Sequence, residues 1–113
     1  VRGTIRSTDE ISALFEAARK IQTNSFIALI QTQDGKRGTK GRVAYIAGRK
    51  LGSAPTRNRI KRRLREAAHQ CHAPWEGFDV VLVAKKKAAS ASFISMVEDM
   101  TRVQEELIRD AVR

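Results

Sequence analysis

The residues best equipped for chemistry stand together in Arg57-Asn58-Arg59-Ile60-Lys61-Arg62-Arg63-Leu64-Arg65-Glu66. At about 100° per residue, Ile60, Leu64, Ala67 and Cys71 gather on one side of a helix, and that side must face a core. Arg57, Lys61 and Arg65 follow one another at i, i+4 steps, with Asn58 and Arg62 beside them and Arg59 and Arg63 on the far flank. The ridge from Arg57 to Arg65 is about 12 Å long, enough to follow roughly two or three phosphates of a nucleic-acid strand. Like charges at this spacing repel by a few tenths of a kcal/mol per pair, and Glu66 alone is at hand to compensate. A merely solvated helix would interleave more carboxylates. Arg outnumbers Lys five to one between residues 57 and 65, which suits the bidentate grip of guanidinium on phosphate. Asn58 adds a donor and an acceptor able to read a base or a 2′-hydroxyl. The chemistry this stretch predicts is binding of nucleic acid.

Other reactive side chains fit catalysis poorly. His69, Cys71 and His72 are close in sequence, but Cys71 lies on the apolar side, and one Cys with two His lacks the four-ligand pattern of a structural zinc site. A buried thiol beside two surface imidazoles is the expectation. Glu98, Asp99, Glu105, Glu106 and Asp110 are interleaved with Arg102 and Arg109, as on an ordinary solvated helix face. No glycine-rich phosphate loop opens a helix. A nuclease whose active site is made by the protein itself is not what these residues describe.

The charge distribution agrees. The 113 residues carry 22 Lys and Arg against 12 Asp and Glu, a net charge of +10. Twelve of the basic residues and none of the acidic ones lie between Lys36 and Arg65, so the rest of the chain sums to −2. A block of this kind concentrates positive potential over one region, and a polyanion is its natural partner. Nucleic acid comes first and an anionic membrane surface a distant second. Apolar residues are 42% and aromatics 5%, so one modest, mainly aliphatic core is expected, with residues 1–113 forming a single domain. No apolar run approaches the ~18 residues of a membrane span. Val1-Arg2-Gly3-Thr4 shows no apolar signal region, and a lone cysteine fits a reducing compartment, so a cytoplasmic location is expected.

The elements that must position the basic helix can be read from periodicity. Ser7 and Glu10 form a capping-box pattern ahead of a first helix with Ile11, Leu14, Phe15 and Ala18 on one stripe, ending near Lys20. Phe26 to Thr32 reads as a strand, and Asp34 to Gly41 as a turn with three glycines. Val43 to Ala47 reads as the returning strand of a hairpin. The basic helix follows from Ala54–Arg57 to about Cys71, with Pro55 tolerated in its first turn. Phe78 to Ala84 is short, β-branched and nearly all apolar, which suits a central strand. Ser90 or Ser92 can cap a last helix whose stripe is Phe93, Met96, Val97, Met100, Val103, Leu107, Ile108 and Ala111. The strand-helix-strand run from Val43 to Ala84 implies a parallel pair in a mixed α+β sheet. Lys85-Lys86-Lys87 at a strand end suits either RNA contact or protection of a sheet edge. Phe15 suits either the core or stacking on a base.

Arg57-Asn58-Arg59-Ile60-Lys61-Arg62, followed by Leu64-Arg65-Glu66, resembles the signature of the bacterial ribonuclease P protein component. Upstream, Gly48-Arg49-Lys50-Leu51-Gly52-Ser53-Ala54 is similar to that family's basic approach to the helix. Downstream, Phe78 to Lys86 is similar to its strand-then-lysine segment, and the resemblance runs from about Ile5 to Leu107. It implies an α-β-β-β-α-β-α sandwich with a mixed four-stranded sheet and a left-handed βαβ crossover, including a short extra strand near Arg19 to Gln22. It implies a protein subunit of a ribonucleoprotein endoribonuclease that removes the 5′ leader of precursor tRNA. The catalytic centre and its Mg2+ ions are then expected in the RNA subunit, with no metal bound tightly by the protein and no small-molecule substrate or membrane partner.

Carried over by residue, the resemblance places Arg57, Asn58, Lys61 and Arg65 on a wall of a leader-binding cleft and Phe15 on the opposite wall. Arg49, Lys50, Arg59 and Arg62 are expected to face the catalytic RNA. Ile11 stands where an aromatic is favoured, Pro55 replaces a β-branched residue, and Ala68 and His69 stand where a bulky aromatic and a base are common. A ribosomal-type RNA-binding protein with no role in cleavage shares the same charge block. A DNA reader with the basic helix in the major groove ranks lower, because no helix at helix-turn-helix spacing precedes it.

Overall fold

In a computed structural model, residues 19–32 and 40–111 are described. The expected first helix, with Ile11, Leu14 and Phe15, and most of the 34–41 turn lie outside them. The described chain runs β1 (Arg19–Gln22), β2 (Phe26–Thr32), β3 (Arg42–Ile46), a 3-10 turn (Arg49–Leu51), α1 (Ala54–Gln70), β4 (Phe78–Ala84), a second 3-10 turn (Lys86–Ala89) and α2 (Phe93–Ala111).

The four strands form one sheet in the order β1-β2-β4-β3. The apolar run of β4 does occupy the centre, pairing antiparallel with β2 from Phe26↔Ala84 to Thr32↔Phe78 and parallel with β3 from Arg42↔Asp79 to Ile46↔Val83. Two expectations are corrected. β3 is not the hairpin partner of β2, because β4 inserts between them. The hairpin is instead β1-β2, turned at Thr23-Asn24-Ser25, where the Thr23 hydroxyl donates to Phe26 O at 2.8 Å and accepts from Phe26 N–H. Arg19 and Lys20 belong to β1 and not to a helix end. The short strand implied by the family resemblance is thus present, over the same four residues.

Strand alternation gives the sheet two apolar faces. Phe26, Ala28, Ile30, Val43, Val80 and Leu82 face the helices, meeting Ile60, Leu64, Ala67 and Ala68 of α1 and Met96, Met100, Val103 and Leu107 of α2. Leu29, Ala44 and Val81 form a smaller cluster on the other face, flanked by Ile27, Ile46 and Val83. Leu64 is fully buried, and truncating such a leucine to alanine costs about 2–5 kcal/mol.

Helix ends follow the sequence closely. Pro55 sits in the first turn of α1, and Cys71 caps its end with a buried thiol. At the start of α2 the Ser92 hydroxyl accepts from Ser95 N–H at 3.1 Å, so Ser92 is the cap. Leu107 enters the core but Ile108, one residue round the helix, is 56% exposed and leaves the expected stripe. Buried Asp99 ties α2 to the β1-β2 turn, accepting from the Ser25 hydroxyl at 2.6 Å and its N–H at 3.2 Å. Arg19 pairs with Glu106 and Asp110, joining the edge strand β1 to the same helix.

Candidate nucleic-acid interface

Burial of Ile60, Leu64, Ala67 and Ala68 fixes the rotation of α1. With that side against the sheet, the wheel puts Arg57, Lys61 and Arg65 along one flank, Arg63 on the opposite flank, and Arg59 and Arg62 at the back. The structure separates these residues by depth. Arg57 and Lys61 are half-buried, whereas Asn58, Arg59, Arg62 and Arg65 are exposed, as are Arg49 and Lys50 on the 3-10 turn before the helix.

Ion pairing divides the cations more sharply. Arg19 pairs with two carboxylates, Arg42 holds Asp79 through Nε at 3.3 Å and Nη2 at 3.0 Å, and Arg109 lies 3.7 Å from Glu106. Among the described residues no carboxylate pairs with Arg49, Lys50, Arg57, Arg59, Lys61, Arg62 or Arg65. The Arg57 Nε is moreover buried with no hydrogen-bond partner. Its stem is packed against protein while the group's donor capacity is not consumed within the chain, a costly arrangement when no acceptor arrives.

Two basic residues prove to have structural work. Arg63 donates from Nη1 to Ala88 O at 3.2 Å and from Nη2 to Ala91 O at 2.5 Å, bracing the segment that leads into α2. Lys85 donates from Nζ to Thr23 O at 2.7 Å and to Gln22 Oε1 at 3.1 Å, tying the end of β4 to the β1-β2 turn. Because β4 is central, the lysine run does not guard a sheet edge. Lys86 and Lys87 remain exposed on the second 3-10 turn.

Lys86 also joins a feature that sequence reasoning missed. A cavity of about 660 Å³ has Ile46, Leu51, Val83 and Ala84 among its walls and Arg49, Lys50 and Lys86 around it. Ile46 and Val83 belong to the sheet face opposite the helices and Leu51 and Ala84 pack against the main core, while the basic part joins two turns that are 35 residues apart in sequence. Spacing along the chain gives no signal of that meeting.

At the other end of the ridge, the Arg65 Cζ lies 5.1 Å from the centroid of the Tyr45 ring, a cation–π distance. Tyr45 is half-buried on β3, and burial pushes its hydroxyl up to about 12, against a smaller opposing pull from the Arg65 charge. Among the described residues no three His, Cys, Asp or Glu side chains come together as metal ligands. No described helix is long and apolar enough to cross a membrane. Phe15 lies outside the described residues.

Comparison with known proteins extends the likeness across the chain. The family model described as Ribonuclease P matches residues 2–107. The ribonuclease P protein component of Desulfovibrio desulfuricans is 36% identical over 106 residues, spanning 92% of this chain and 76% of that protein. Among solved structures, the Staphylococcus aureus RNase P protein superposes with a TM-score of 0.80 at 18% identity, covering 95% of this chain and 96% of that one. The Thermotoga maritima RNase P protein gives 0.78 at 23% identity, covering 93% and 97%. At those identities the two structures speak for the fold.

Proposed function

The chain belongs to the ribonuclease P protein family, and from that premise we propose how its surfaces serve 5′ maturation of precursor tRNA. Its role is that of the accessory protein subunit of an endoribonuclease, with RNA as its partner. The flank carrying Arg57, Asn58, Lys61 and Arg65 holds the single-stranded 5′ leader. Arg59 and Arg62 at the back of α1, with Arg49 and Lys50 on the preceding turn, contact the catalytic RNA. Phe15 is assigned to the leader side on the family resemblance.

The observation that carries this reading is the absence of carboxylate partners, among the described residues, for every one of these cations. Each positive charge brought to a phosphate releases counterions and strengthens association. Position on the helix supports the division of labour. The i, i+4 row of Arg57, Lys61 and Arg65, which ends beside Tyr45 of β3, suits an extended strand laid along the helix, and the exposed arginines at the back suit a broad RNA surface. Asn58 offers the flank a group that distinguishes a nucleotide from bare charge.

The protein's part is then positioning. It lowers the entropy cost of bringing the precursor to the cleavage centre and screens repulsion between two RNA backbones. Magnesium ions, when bound, supply metal-assisted hydrolysis chemistry, and we assign them to the RNA subunit, since the described donor set offers no three-ligand cluster. The lone buried thiol, Cys71, fits a reducing compartment, and we place the protein in the cytoplasm.

The test is the affinity of the reconstituted holoenzyme for a precursor tRNA and for the same tRNA lacking its leader. Tighter binding of the precursor, diminished by Lys61→Ala, is the expected result. Equal affinities would reduce the protein to general RNA binding.

A further inference from the structure

Resting on the leader reading above, we propose that Tyr45 is a positioning residue, whose ring holds the Arg65 guanidinium at the end of the basic ridge so that its N–H fork is presented to a leader phosphate. Arg65 is the exposed cation of the flank, and a free arginine at such a position spreads over many rotamers. Here its Cζ stands 5.1 Å from the Tyr45 ring centroid, within the ~6 Å at which a ring quadrupole attracts a cation. The ring is itself held. Tyr45 lies opposite Leu82 in the β3-β4 register and packs against the main core.

No protein acceptor among the described residues takes an Arg65 N–H, so stacking fixes the group without consuming its donors. The Tyr45 hydroxyl also has no hydrogen-bond partner among the described residues, and it keeps its proton at neutral pH, so the ring presents no negative charge to RNA. The ring face, and not the hydroxyl, is the part that matters. Lys61 is one helical turn away, so the held guanidinium continues the ridge in register with the next cation.

The experiment measures the leader increment, the ratio of holoenzyme affinities for precursor and leaderless tRNA, in a double-mutant cycle. Tyr45→Phe keeps the ring and is expected to keep the increment. Tyr45→Leu fills the space without a π face and is expected to lower the increment by about two- to fivefold. Arg65→Lys, a surface change that does not threaten folding, is expected to lose a similar factor in the native background and little in the Tyr45→Leu background. In an Arg65→Ala background, Tyr45→Leu should add no further loss.

The inference is overturned if Tyr45→Leu costs as much with Arg65 absent, or if Tyr45→Phe costs as much as Tyr45→Leu. It is also overturned if the native protein shows a leader increment that Arg65→Ala leaves unchanged, in which case the leader reading itself stands. If the native holoenzyme shows no increment, the leader reading fails and the inference falls with it.

Discussion

Arg62 and Arg63 are neighbours of one residue type, and the structure gives them different surroundings. Replacing Arg63 with Ala removes two donors from the Ala88 and Ala91 carbonyls, at 3.2 and 2.5 Å. Hydrogen bonds to a charged donor contribute about 1.5–3 kcal/mol each when protected. The Arg63 side chain is half-buried, and water can reach the freed carbonyls, so about 2–3 kcal/mol for the pair together is the expected loss. For a domain of this size that lowers Tm by roughly 8–12 °C. Arg62 is exposed and has no protein partner among the described residues. Arg62→Ala should therefore change stability by less than about 0.5 kcal/mol while reducing the log-log salt slope of RNA binding by roughly 0.7–0.9. Thermal denaturation followed by circular dichroism, paired with binding to the catalytic RNA over a salt series, separates the two effects. An Arg63→Ala protein with native Tm and a flattened salt slope would refute the assignment.

Other consequences can be measured as directly. Tyr45 is the sole tyrosine, so ultraviolet titration of its phenolate should show a midpoint near about 12 in the folded protein and about 10 once unfolded. Because the folded value is the raised one, the stability it contributes is complete below about pH 10 and lost as pH rises towards 12. Tyr45→Phe should flatten that part of the stability-pH curve. Removing the buried Asp99 carboxylate as Asp99→Ala strands the Ser25 hydroxyl and N–H and should cost about 1–3 kcal/mol by urea denaturation. At Gly41 an added Cβ would stand 1.9 Å from the Trp75 carbonyl oxygen, so Gly41→Ala should force the 75–78 backbone aside. Its expected signatures are a lowered Tm and altered Trp75 fluorescence.

Much of this architecture is legible along the chain, and the exceptions share a cause. Phe78 to Ala84 declares a central strand because both of its faces are apolar, and both prove covered. The helix boundaries follow from Pro55, Ser92 and the spacing of Ile60, Leu64 and Met96. β1 is obscure because Ile21 is its sole buried residue, and one apolar position makes no alternating pattern. The hairpin expectation had the right strand directions and the wrong neighbour, since β2 and β3 both border β4. Which strand fills that gap is decided by contacts some 50 residues away, beyond the reach of a turn motif.

The candidate RNA surface divides in the same way. The residue types of the ridge predict a phosphate-seeking surface. What the sequence leaves unsaid is which arginines are already engaged. Arg63 finds its carbonyls 25 and 28 residues downstream, Arg65 finds its ring on β3, and Lys86 meets Arg49 and Lys50 around one cavity. None of these meetings has a local signal.

The central claim, that this chain is the protein partner of an RNA that cleaves precursor tRNA, is tested most directly by reconstitution with its catalytic RNA at low magnesium. The account predicts faster cleavage of precursor tRNA when the folded protein is added, and a smaller gain with Arg57→Ala or Lys61→Ala. Cleavage that proceeds at the same rate with and without the folded protein, on intact RNA, would contradict it.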